Sequence, residues 1–213
     1  MTEGGYLGPG KTKLPPEQLK KVFSSTIHLI MPPAGIAIRK NELNTIFFGG
    51  KNVSVQYLLN QQEKNLVCCW IRGATVHPKI RGAVEDYVRN NEKHPNVYFQ
   101  SQIKENSLQM LMMRRVDYYP IHAIPFQYTC SRLTGCSDKL TFITVNETLD
   151  EVITYTFAAK TKIGQEVINK INKIHKSEEY KKFIRELIQE HYPSDLVDKY
   201  IKKNMEFVGK EMR

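Results

Sequence analysis

The stretch between Asn65 and Gln100 constrains the fold more than any other part of the chain. It opens with the apolar run "NLVCCWIR", which suits a buried strand. It closes with "VYFQ", a second strand after the breaker "NNEKHPN". Between them Ile80, Ala83, Val84, Tyr87 and Val88 recur at the spacing of one buried helical face. Strand, helix and strand in that order predict a parallel pair joined by a right-handed crossover. A chain built on such a unit is α/β. Cys68 and Cys69 are neighbours on the first strand, so their side chains point to opposite faces.

The rest of the chain extends the same alternation. "VFSSTIHLIMPPAGIAIRK" gives two extended pieces around "PPAG". "LNTIFFGGKNVSVQYLLNQQEKN" reads as a loop and a short helix. "NSLQMLMM" is a short helix with Leu108, Leu111 and Met112 inward, and "RVDYYPIHAI" begins as a strand. "IPFQYTCSRLTG" reads as a helix ended by Gly135, and "KLTFITV" and "VITYTFAAK" as strands. Three helices close the chain. Their stripes are Ile163, Val167, Ile168, Ile171 and Ile174, then Tyr180, Phe183, Ile184, Leu187 and Ile188. The third starts at Pro193 and carries Leu196, Val197, Tyr200 and Ile201.

In open α/β sheets ligands sit beyond the carboxyl ends of strands, near helix N-termini. Arg72, Gly73, Ala74 and Thr75 occupy that kind of position, between the "CCWI" strand and the helix opening at Pro78. Unpaired N–H groups there suit an anion or polar ligand. The plainer reading is a strand-to-helix turn capped by Thr75.

Composition narrows the function classes. Of the 213 residues, 41% are hydrophobic and 25% charged, as in a soluble globular chain. No apolar run approaches the roughly 18 residues that span a membrane. The start, "MTEGGYLGPGKTKLPPEQ", lacks the apolar centre of a signal peptide and reads as loose. The net charge of +9 favours anionic partners, but the lysines are interspersed with glutamates and no aromatic-basic motif accompanies them. Nucleic acid is therefore not the expected partner. The four cysteines have no zinc-type spacing, and no cofactor is expected. Cys130 and Cys136 are spaced to close a small loop in an oxidising compartment, an outcome that sequence alone leaves open. An enzyme would have Cys130 as nucleophile and His122 as base, with no third orienting group evident.

The order of these segments resembles the type II periplasmic solute-binding proteins, within the extracellular solute-binding family three of amino-acid uptake systems. "KVFSSTIHLIMPPAGIAIRK" is similar to the segment that crosses from lobe one to lobe two. "NLVCCWIRGATVHPKI" resembles the strand, Gly-x-Thr loop and helix of lobe two. "NSLQMLMMRRVDYYPIHA" resembles the helix and strand that follow. "VITYTFAAKTKIGQEVINKIN" and "SEEYKKFIREL" resemble the returning strand and closing helices. The resemblance implies a hinge-crossing segment over 1–35, lobe two over 36–150, and the C-terminal part of lobe one over 151–213. Lobe two is expected to be a complete, mostly parallel α/β lobe, and the chain to be truncated at its N-terminus.

It further implies a non-catalytic protein that captures a small solute between two lobes, works with an ABC transporter permease, and is periplasmic or extracellular. Gly73, Ala74 and Thr75 match the loop that holds a ligand carboxylate, and Arg72 adds charge beside it. His122 stands where amino-acid-binding members often carry an Asp for the ligand's ammonium group. An imidazole does not replace that counter-ion. Glu17 and Gln18 stand where members carry a carboxylate-binding Arg, and neither pairs with a carboxylate as Arg does. A small polar or anionic solute other than an ordinary amino acid is therefore the expected ligand. The alternative is a degenerate member acting as an interaction or sensing module, self-associating through uncovered apolar stripes. Asp117 matches a family position expected to be structural.

Overall fold

The computed structural model describes residues 8–11, 17, 20–47, 49, 53–61, 65–71, 76–91, 93, 95–100, 104–148, 150–192 and 196–210. In chain order its strands are β1 (Gly8–Lys11), β2 (Val22–Ser24), β3 (Leu29–Met31), β4 (Ala34–Arg39), β5 (Cys68–Ile71), β6 (Val97–Gln100), β7 (Tyr118–His122), β8 (Leu140–Thr144) and β9 (Val152–Ala159). The α-helices are α1 (Val55–Leu59), α2 (Pro78–Asn90), α3 (Lys104–Met112), α4 (Ala123–Ser131), α5 (Cys136–Lys139), α6 (Lys162–His175), α7 (Glu178–His191) and α8 (Val197–Phe207). The chain divides into two compact units, Pro33–Asp150 and Met1–Pro32 with Glu151–Arg213.

The Pro33–Asp150 unit is built on a five-stranded sheet in the order β6-β5-β7-β4-β8. β5 runs parallel to both β6 and β7, as the strand-helix-strand pattern requires. β4 and β8 complete the sheet antiparallel, so the parallel register holds for the half that carries the crossover helices. Alternation along each strand sends successive side chains to opposite faces. Ile36, Ile38, Cys68, Trp70 and Tyr118 pack with Leu58 and Leu59 of α1 and Ile80, Val84 and Tyr87 of α2. Ala37, Cys69, Ile71, Tyr119 and Ile121 pack with Leu108 and Leu111 of α3 and Phe126 and Cys130 of α4. The two adjacent cysteines thus serve two separate cores, both as free thiols. Gly35 is required where β8 crosses β4: a Cβ there would lie 2.0 Å from the Ile143 carbonyl oxygen.

The other unit is organised around β9. β1 pairs along one edge, and β2 and β3 follow each other along the other, all antiparallel. The Gly- and Pro-rich start therefore contributes a strand at 8–11, where the edge of β9 offers unpaired backbone groups. Ile168, Ile184, Ile188 and Tyr200 of the three closing helices are buried. Asn204 of α8, fully buried, ties the helix to β3: its Oδ1 accepts from the Ile30 N–H at 2.8 Å and its Nδ2 donates to the Ile30 carbonyl at 3.0 Å. The Tyr192 hydroxyl donates to the same carbonyl at 3.0 Å.

Three local expectations are corrected. The helix at 123 stops at Ser131 with Arg132 as its C-cap. Gly135, at φ 72°, instead starts α5 in the left-handed region. Ala34 and Gly35, expected in a turn within "PPAG", instead open β4. On the α6 stripe set by periodicity, Ile163 and Ile174 are exposed, while Ile168 between them is buried. Pro193, expected to begin the last helix, lies outside the described residues.

Candidate functional site

Two strands of the Pro33–Asp150 unit end side by side. β5 and β7 are parallel neighbours with Cys68 opposite Tyr118, so Ile71 closes β5 one residue before the level at which His122 closes β7. Each is followed by a helix, α2 after β5 and α4 after β7. This edge is where strand carboxyl ends and helix N-termini meet in an α/β sheet. Arg72, Gly73, Ala74 and Thr75, the expected ligand loop, lie outside the described residues. Of the expected site residues, His122 is described: it is buried and is the N-cap residue of α4, but its side chain does not cap that helix.

The N-cap of α2 is His77, and the capping reading of Thr75 is corrected. The His77 Nδ1 accepts from the Lys79 N–H at 3.3 Å, and Pro78 follows in the first turn, where its missing N–H costs no helical bond. Burial holds the His77 pKa below its ordinary value, the Lys79 charge adds to this, and Asp150 opposes it. The ring is therefore neutral at pH 7 and keeps the lone pair that the cap needs. Sequence reasoning missed this residue because histidine is not among the preferred N-caps. Its one signal was the adjacent Pro78.

The opposite end of β5 and β7, where the two strands start, is held by a charge cluster. Arg39, at the end of β4, is ion-paired with Asp117 and with Glu42, and its Nη1 donates to the Leu111 and Val116 carbonyls. Asp117 also accepts from the Val67 N–H at 2.7 Å, just before β5. The carboxylate thus fixes the start of β5 to the start of β7 and is consumed by the framework.

Cys130 is joined to Cys136 by a disulfide that closes the turn between α4 and α5. A nucleophilic role for Cys130 with His122 is thereby removed, since a sulfur in a disulfide has no thiolate to offer. Among the described residues no group of three or more His, Cys, Asp or Glu is placed to hold a metal ion. No helix of the described residues is long and apolar enough to cross a membrane.

No protein-family model matches the chain, and no curated protein matches it in sequence. Solved structures do match in fold. One comes from work on glutathione import in Gram-positive bacteria via GshT and the cystine ABC importer TcyBC of Streptococcus mutans. It is 16% identical, with a TM-score of 0.54, over 90% of this chain and 70% of that one. Another is a polar amino acid ABC uptake transporter substrate binding protein from Streptococcus thermophilus. It is 13% identical, with a TM-score of 0.51, over 92% of this chain and 66% of that one. The chain thus spans about two-thirds of the length of these structures. It has the α/β fold of the type II periplasmic solute-binding proteins.

Proposed function

We propose that the chain is a solute-binding protein of an ABC-type uptake system, with the Pro33–Asp150 unit as its lobe two. It takes a small polar or anionic solute, without catalysis. The observation that carries this reading is the shared edge at which β5 and β7 end, with α2 and α4 starting beyond it. In sequence, residues 72–75 follow β5 and precede α2. By the family resemblance, the amides of Gly73, Ala74 and Thr75, the Thr75 hydroxyl and the Arg72 guanidinium are the groups that suit an anionic ligand. His122 at the neighbouring strand end offers an imidazole where an amino-acid ligand would need a carboxylate, which favours a solute lacking an ammonium group.

The Cys130–Cys136 disulfide supports an oxidising location, periplasmic or extracellular, as expected for a partner of a membrane permease. The two similar structures named above, one of a substrate binding protein and one from work on an importer, support the same assignment.

The test is a thermal melt of the chain with pooled small polar solutes. A ligand at a hundredfold excess over its Kd stabilises by about 2.7 kcal/mol, which is a visible shift. The expected result is a melt raised by one pool, with the shift abolished in Thr75→Val. A cooperative melt that no pool moves sinks the reading. It would favour instead an interaction module that associates through exposed apolar residues such as Ile163, Ile174 and Phe183.

A further inference from the structure

Away from that edge, in the unit built on β9, three mutually tilted rings meet in a polar cluster. His175, the last residue of α6, is buried, and its ring centroid lies 5.2 Å from that of His28 and 4.8 Å from that of Tyr180. His175 Nε2 is 3.3 Å from His28 Nδ1, and the Tyr180 hydroxyl of α7 is 2.7 Å from the same Nδ1. On its other side, His175 Nδ1 lies 3.1 Å from the Thr26 hydroxyl, and the Thr26 N–H donates to Asn172 of α6 at 2.8 Å. These contacts fasten Thr26–His28 to α6 and α7. Beyond His28 the chain runs through β3 to Pro32, the last residue before it enters the other unit.

The geometry works with neutral rings. One nitrogen of the 3.3 Å pair carries a proton and the other a lone pair. A single added proton is still shared along that bond. A second sets two N–H groups head-on and two positive charges side by side in a buried place. The groups around the pair give little relief. α6 carries Lys173 and has Lys176 as its C-cap, α7 carries Glu179 and a Glu178 already paired with Lys181, and Lys210 follows α8. The segment 25–28 contributes no carboxylate, and β9 meets it through backbone carbonyls of Thr154 and Thr156.

We infer that the His28–His175–Tyr180 cluster is an acid-released latch, closed while both imidazoles are neutral and opened by protonation of the pair. It governs how firmly the segment leading to Pro32 is held on its own unit. Burial lowers the pKa of both imidazoles. For His175, burial and the His28 charge outweigh the Thr26 hydrogen bond and leave it at about 4. This occurs although a helix C-terminus favours a cation. Folded values below the ordinary 6.5 mean that the latch is fully closed above that pH and loosens as pH falls from there toward about 4.

The experiment is amide hydrogen exchange on the full chain between about pH 7 and 4.5, corrected for intrinsic rate, beside a titration of the histidine ring resonances. The opening constant of the Thr26 amide should rise by up to about tenfold per pH unit below 6.5, while Ile36 in the other unit stays protected. His175→Gln keeps a polar side chain but takes no proton, and should flatten that rise. Unchanged protection of Thr26 while the rings titrate would overturn the latch, as would an equal rise in His175→Gln. If that variant does not fold, the wild-type ring titration decides: midpoints at or above about 6.5 for both rings would refute it.

Discussion

Arg39 and Asp117 form an ion pair between the end of β4 and the start of β7, and the Arg39 side chain is only 6% exposed. Each partner has further duties. Arg39 also serves Glu42 and two backbone carbonyls, and Asp117 also holds the Val67 N–H. Removing Arg39 leaves Glu42 with Arg114 at 3.5 Å and Asp117 with the Val67 N–H, and neither keeps a buried cation beside it. Arg39→Met should therefore lower unfolding stability by about 3–5 kcal/mol in urea titrations. Arg39→Lys should recover only part of this, because an ammonium group does not reproduce the planar fork that reaches four acceptors. A loss under about 1 kcal/mol for Arg39→Met would show that the cluster contributes little to stability.

The Cys130–Cys136 bridge joins cysteines six apart in sequence, so it restrains a short loop in the unfolded chain. Loop-closure entropy for that length is worth about 2 kcal/mol. A reductant should lower the melting temperature of the wild type and leave that of Cys130→Ser/Cys136→Ser unchanged. Equal melting with and without reductant in the wild type would mean that the bridge does not stabilise the fold.

The Asn65–Gln100 unit was legible because one buried strand, one amphipathic helix and a second strand leave a single economical arrangement. The opposite facing of Cys68 and Cys69 followed from strand geometry alone. The antiparallel entry of β4 beside β7 was less legible, since it depends on a pairing of residues about 85 positions apart. The pattern of "PPAG" reads as a turn, but Ala34 and Gly35 pair with His122 and Ile121 as the start of β4. At the candidate site, periodicity located the end of β5, and the pairing Cys68 to Tyr118 brought His122 alongside it. The His77 cap was not legible, because its role rests on one nitrogen's lone pair and not on residue type. The His28–His175–Tyr180 cluster joins residues about 150 positions apart, and no local signal marks it.

The α6 stripe separates periodicity from burial. Ile163 is 74% exposed and Ile174 55% exposed, whereas Ile184 on α7 is fully buried. Ile163→Lys and Ile174→Lys should each change stability by no more than about 0.5 kcal/mol in the monomeric chain. Ile184→Ala should cost about 2–5 kcal/mol, the sum of lost transfer energy and a cavity. A large loss from Ile174→Lys that depends on protein concentration would instead show that another molecule covers this face. Sedimentation of the wild type and the variant would distinguish the two.

His77 holds the start of α2 through one acceptor nitrogen, so the cap is lost when the ring is protonated. Its folded pKa lies below the ordinary value, so its contribution is fully present above about pH 6.5 and fades as pH falls through that value. His77→Ala should cost about 1 kcal/mol at neutral pH, the usual worth of an N-cap. His77→Asp should restore most of it, since a carboxylate accepts from the same N–H groups and faces the positive end of the helix. Full restoration is not expected, because Asp150 lies close enough to influence the His77 charge and would repel a second carboxylate. Urea unfolding of the three proteins at pH 7.5 and pH 5 gives the comparison. The wild type should lose its advantage over His77→Ala at the lower pH, and His77→Asp should keep its own. If the wild type and His77→Ala stay separated by the same amount at both values, the imidazole stabilises α2 by packing, and the cap is incidental.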